Sequence, residues 1–132
     1  MKLKTEVEIT DEQLHGVFTT ALETYYGIGY WSRTRSYHWH LPLAEGQKFG
    51  QDDLLGFYAE IEESDEGDRP LIINRQTIVQ GLQRLADGTV THGGEPWGRA
   101  NALVSRIVCD DYDSSDADIV VQAGLFGDVK YG

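Results

Sequence analysis

The chain predicts an α+β fold: an antiparallel sheet of about three or four strands, with about four helices packed mostly on one face. Three observations carry that expectation. Apolar residues alternate with polar ones through much of the first half, recur at helical spacing in the second half, and the segments are separated by short clusters of Gly, Asn, Asp and Ser. With 132 residues, 40% of them hydrophobic, the chain suits a single domain (1–132) that buries a core without disulfide or metal support.

Lys2 to Ile9 alternates, with Leu3, Thr5, Val7 and Ile9 on one face and Lys2, Lys4, Glu6 and Glu8 on the other, the pattern of a half-buried strand. Thr10 and Gln13 form a capping box, after which Leu14, Val17, Phe18, Ala21, Leu22 and Tyr25 recur at helical spacing until Gly27 and Gly29 end the helix. A second strand is expected from there to about Leu41, and Pro42 to Asp53 reads as loop. Leu55 to Glu62 alternates again, with Leu55, Phe57, Ala59 and Ile61 inward. A turn at 64–68 leads into a short strand through Leu71, Ile72 and Ile73. Asn74 caps a helix bearing Ile78, Val79, Leu82, Leu85 and Ala86, closed by Asp87 and Gly88. Residues 89–98 have three glycines, a proline and no period, so an exposed loop is expected. Ala100, Leu103, Val104, Ile107 and Val108 mark a third helix. Ser115 with Asp118 reads as the capping box of a fourth, bearing Ile119, Val120, Ala123 and Phe126.

The single Cys109 forms no internal disulfide, and the apolar helix around it places it in or near the core. No leader or long apolar run is visible, so a cytoplasmic location is the expectation. The formal net charge is −11, from 22 acids against 11 Lys and Arg. That balance disfavours direct binding to nucleic acid or anionic membranes, and favours contact with a basic surface on another protein.

The densest chemistry lies between Tyr25 and His40, where six of fourteen aromatic residues, two arginines and two of four histidines stand in sixteen positions. On a regular strand Trp31, Arg33, Arg35, Tyr37 and Trp39 share a face. Rings interleaved with guanidinium groups suit a nucleotide or phosphorylated small molecule, because Arg both stacks and grips phosphate; the same residues also suit a structural ladder. His92 and Trp97, in the glycine-rich loop, are candidates to fold over such a pocket. His38 and His40 would supply two metal ligands, and Asp52, Asp53 or His92 stand at no diagnostic spacing to add a third, so neither a metal nor a cofactor is expected. The acids at 110–118 lack the glycine and glutamate of a calcium loop and read as a helix start. No Gly-x-Ser-x-Gly, Walker or dinucleotide motif occurs. An enzyme using His38, His40 or His92 remains the alternative to a binding protein. Strand 30–41 also offers an aromatic edge on which two copies can pair.

Gly27 to Trp31, Ile73 to Leu82 and the closing stretch Asp118 to Gly132 together resemble uncharacterised small accessory proteins of bacteriophages and prophages. The resemblance covers most of the chain and brings no catalytic residues with it. It implies an accessory protein that modulates host functions, with inhibition of a bacterial defence system as the expectation. Two modes of action follow as expectations. In one, an acidic face made by Glu60, Glu62, Glu63, Asp65, Glu66 and Asp68, with Asp110, Asp111 and Asp113, occupies a basic nucleic-acid-binding site on a host protein. In the other, the segment 30–40 sequesters a nucleotide-like molecule.

Overall fold

Thr10 opens the first helix by satisfying backbone donors that have no partner in the first turn. Its hydroxyl accepts from the Gln13 N–H at 3.1 Å, while Gln13 Oε1 accepts from the Thr10 N–H at 2.9 Å. In the computed structural model, which describes residues 8–39, 56–65 and 69–132, this helix is α1, Asp11–Glu23. It buries Leu14, Val17, Phe18 and Ala21. Helical spacing carries the pattern to Tyr25, but Thr24 is extended and ends α1. A single π-helical turn, Tyr25–Gly29, follows. Gly27 is required there, because a Cβ would run into the Ala21 carbonyl oxygen. The turn points Tyr25 and Tyr26 outward and Ile28 into the core.

The sheet has the order β1 (Ser32–His38), β2 (Tyr58–Glu63), β3 (Pro70–Asn74), antiparallel throughout. Phe57, Ala59 and Ile61 are buried as their alternation predicts, and Ile73 joins them while Ile72 faces out. Asn74 then caps α2 (Arg75–Asp87), whose other end is Gly88 in the left-handed region at φ 73°. Residues 89–98 are more ordered than their composition suggests. Thr91–His92 (β4) and Glu95–Pro96 (β5) pair across Gly93 and Gly94, both at positive φ, and make a small hairpin. α3 is Ala100–Val108 and α4 is Ser114–Phe126. The α+β class predicted from the pattern is therefore the fold observed.

Two expectations need correction here. The cap of α4 is Asp113 with Asp116, not Ser115 with Asp118, so the helix starts earlier and carries Asp118 into its interior turns. Cys109 is exposed at the C-terminal end of α3, where the chain leaves the apolar face before reaching it.

α4 is the central element, burying Ala117, Val120, Val121, Gln122, Ala123 and Gly124. A helix apolar on so many sides belongs inside a fold. Its closest neighbour is α2, and glycine permits the approach: a Cβ on Gly81 would collide with the Val120 carbonyl oxygen, and one on Gly124 with the Thr77 carbonyl oxygen. Arg84 donates from Nη1 to the Ala123 and Gly124 carbonyls at 2.7 and 3.0 Å, satisfying acceptors at the C-terminal end of α4. No helix among the described residues is long and apolar enough to cross a membrane. The strand expected over 2–9, apart from its last two residues, lies outside the described residues, as do the loop at 42–53, Leu55, His40, Glu66 and Asp68.

Candidate functional site

The strand face expected to carry recognition does not form. Trp31 precedes β1 and is 3% exposed, inside the core. Arg33 pairs with Glu62 at 2.8 Å on the outer face, its side chain 64% exposed. A bulge between Thr34 and Ser36 then breaks the two-residue alternation. Arg35 reaches Glu60 at 3.7 Å, Tyr37 turns inward to pack on Phe18 with ring centroids 5.7 Å apart, and Trp39 rests on His15. Arg33 and Arg35 thus stay on the outer face with their glutamates, while Trp31 and Tyr37 turn inward and Trp39 packs on His15.

The acidic groups are similarly divided. Glu60 and Glu62 are held by the two arginines, and Asp110 accepts from Gln13 at 3.2 Å. Asp113 caps α4, and Asp65 and Asp111 are exposed. Glu63 is buried, where its carboxylate accepts from the Lys130 ammonium at 2.7 Å and from the Tyr131 hydroxyl. Burial pushes the Glu63 carboxyl up, but those two donors outweigh it and hold the group below its ordinary 4.5. A depressed folded-state value means stabilisation that is present above the unfolded pKa and is lost as pH falls through the folded one. Glu63→Gln is expected to cost about 1–2 kcal/mol at pH 7 and to flatten the loss of stability below pH 4.5, as read from urea unfolding at several pH values.

A cleft of about 1100 Å3 opens elsewhere, between the π-helical turn, the β4–β5 hairpin, and the facing parts of α3 and α4. Its size suits a drug-sized or nucleotide-sized molecule. Tyr25, Tyr26 and Tyr30 come from the turn, with Tyr25 and Tyr26 edge to face at 5.4 Å and 67% and 74% exposed. His92, Glu95, Trp97 and Arg99 come from the hairpin and the residues after it. The glycine-rich loop therefore does bring His92 and Trp97 to a pocket, and the front of the aromatic segment, rather than its strand, supplies rings to the same pocket.

Two carboxylates lie along the α4 wall. Asp116 is held by Arg106 through paired bonds of 2.8 and 2.7 Å. Burial raises the Asp116 carboxyl, and the Arg106 guanidinium with the Asp113 N–H more than reverses that, leaving it below its ordinary value. Asp118 has no cation partner among the described residues. It is 3% exposed and accepts three neutral donors: the Tyr30 hydroxyl at 2.6 Å, Trp31 Nε1–H at 2.8 Å and Gln122 Nε2–H at 2.9 Å. Burial raises the Asp118 carboxyl above its ordinary value in spite of those donors. Burial, followed by the bond to Asp118, likewise raises the Tyr30 hydroxyl well above its ordinary range, so Tyr30 keeps its proton.

The network is braced from behind by residues 128–132. Tyr131 stacks on Trp31 with planes 7° apart and centroids at 4.9 Å, and exchanges backbone bonds with the Gln122 amide. The Val129 N–H donates to the Thr91 carbonyl at 2.7 Å, tying the hairpin to the same strap.

Among the described residues no group of three His, Cys, Asp or Glu side chains is placed to hold a metal ion, and His38 stacks on Tyr58 at 4.4 Å. The cleft offers rings for a planar group, an Arg99 guanidinium that makes no ion pair among the described residues, and fixed polar atoms along the α4 wall. Comparison with family models, curated proteins and solved structures finds no match to this chain.

Proposed function

We propose that the protein binds and sequesters a planar, anionic small molecule of nucleotide type in the cleft formed by Tyr25, Tyr26, Tyr30, Trp97 and Arg99. The observation that carries this reading is the convergence of five aromatic side chains, Tyr131 included, on one cleft that also holds a cation with no ion-pair partner among the described residues. Arg106 is neutralised by Asp116, whereas the Arg99 guanidinium has no ion pair among the described residues. Aromatic faces stack on any base, and an uncommitted guanidinium takes a phosphate through paired hydrogen bonds. The resemblance to phage and prophage accessory proteins supports a stoichiometric role of this kind, directed at a host signal or defence pathway.

Isothermal titration with adenosine monophosphate tests it. Binding is expected in wild type, with Trp97→Ala weakening it by roughly 10- to 100-fold, the usual effect of removing one stacking ring. Arg99→Ala is expected to weaken it by about tenfold. Binding that is absent, or unchanged in both variants, contradicts the reading.

A second mode, occupation of a basic surface on a host protein, draws on the net charge of −11. Salt separates the two. A charge-driven protein contact weakens steeply between low and physiological ionic strength, while a stacked ligand holds.

A further inference from the structure

Three polar groups of the cleft, on Tyr30, His92 and Glu95, offer acceptors beside the donors of Arg99 and Arg106, and these acceptors set the kind of molecule it takes. The Tyr30 hydroxyl spends its hydrogen on Asp118 Oδ2 at 2.6 Å, so toward any other partner its oxygen has only lone pairs to offer. Access to that oxygen depends on Gly132, also a cleft residue: a Cβ there would stand 2.8 Å from Tyr30 Oη and cover it. On the hairpin, His92 Nδ1 lies 2.9 Å from the Val129 carbonyl oxygen. A carbonyl can only accept, so Nδ1 carries the hydrogen, and in the neutral form of the ring that leaves Nε2 as the acceptor. Glu95 adds a carboxylate to the same cleft.

Acceptors held in place by inner partners discriminate sharply. A ligand group that donates is satisfied, while one that itself accepts is left facing lone pairs with no proton between them. We propose, building on the ligand-binding reading above, that the cleft selects an amino-bearing heterocycle, the adenine type of base, with the exocyclic N–H group donating to Tyr30 Oη or His92 Nε2 and the phosphate toward Arg99. Asp118 is a positioning residue in this arrangement. It never touches the ligand; it fixes the direction of the Tyr30 hydroxyl and so turns that oxygen into an acceptor.

The test compares adenosine monophosphate with inosine monophosphate by isothermal titration on the full chain. The two differ at two adjacent ring positions: adenine presents an exocyclic amino donor beside a bare ring nitrogen, hypoxanthine a carbonyl acceptor beside a ring N–H, so only adenine offers a donor at the exocyclic position. The amino form is expected to bind about tenfold more tightly, the effect of one well-made hydrogen bond against an acceptor clash. Tyr30→Phe keeps the ring and removes the oxygen. A lowered preference in that variant, with wild-type circular dichroism, assigns the discrimination to Tyr30; His92→Phe reads the other acceptor in the same way. Equal binding of the two nucleotides, or tighter binding of inosine monophosphate, overturns the selectivity while leaving the ligand-binding reading intact. Binding of neither overturns both. The wild-type comparison needs no substitution, so it decides the matter even where a variant fails to fold.

Discussion

Gly124→Ala is expected to lower stability by about 2–3 kcal/mol, although alanine is the better helix former. The intrinsic gain of the substitution in a helix is about 0.5–1 kcal/mol. Against it stands a Cβ placed against the Thr77 carbonyl of the neighbouring helix. Backbone cannot rotate away as a side-chain tip can, so α2 and α4 must move apart, and a backbone clash this close stands at the top of the overpacking range, about 3 kcal/mol or more. The reciprocal contact of Gly81 with Val120 opens at the same time. For a chain of this length the net loss corresponds to a fall in Tm of roughly 6–12 °C. Gly98→Ala serves as the control, since a Cβ there meets nothing within 4 Å. A Gly124→Ala variant melting with wild type contradicts the helix crossing described.

Asp118→Ala is the second large effect, about 3–5 kcal/mol in thermal or urea unfolding. The substitution removes the acceptor of three donors at once. The Tyr30 hydroxyl can turn toward the cleft and its water. The Trp31 indole N–H and the fully buried Gln122 amide cannot, and a buried donor without a partner costs about 1–3 kcal/mol. One opposing contribution exists, because the alanine variant no longer holds an unpaired carboxylate out of water. Asp118→Asn separates the two effects by keeping the shape and one acceptor oxygen, and is expected to cost less than alanine.

The pH dependence carries the opposite sign from Glu63. Asp118 is raised in the folded state, so its ionisation subtracts stability as pH rises from its ordinary 3.8 through the folded value. Asp118→Asn should remove that loss. A steeper loss over the same interval would mean that the donors outweigh burial.

Much of the fold follows from local signals that are strong in this chain. The capping boxes at Thr10 and Asn74 and the glycine after Asp87 act within a few residues of themselves, and each sits where its chemistry requires. Asp113 was hidden by ambiguity: Asp113 with Asp116 and Ser115 with Asp118 are both three-residue cap pairs, and only packing decides between them. What could be read instead was the spacing of Asp118 and Gln122, four apart in a run that is apolar on all sides, where two polar residues have reason to stand only if they meet. The bulge in β1 left no mark, since Thr34-Arg35-Ser36 contains neither glycine nor proline, and with it went the shared face of Trp31 and Trp39. Charge counting showed the acids but not their partners, and Glu63 draws both of its partners from the far end of the chain. The cleft was legible only in pieces. Tyr25, Tyr26, His92 and Trp97 stand out as residues, but their meeting depends on the π-helical turn and on the strap at 128–132, neither of which has a local signature.

The three tryptophans allow the central claim to be read directly, because each indole N–H gives its own signal in a proton–nitrogen correlation spectrum. Trp97 lines the cleft, Trp31 donates to Asp118 beneath it, and Trp39 lies against His15. Titration with adenosine monophosphate is predicted to shift the Trp97 and Trp31 indole signals together and leave that of Trp39 in place. Movement of Trp39 alone, or of none of the three at millimolar nucleotide, would contradict the placement of the binding site in this cleft.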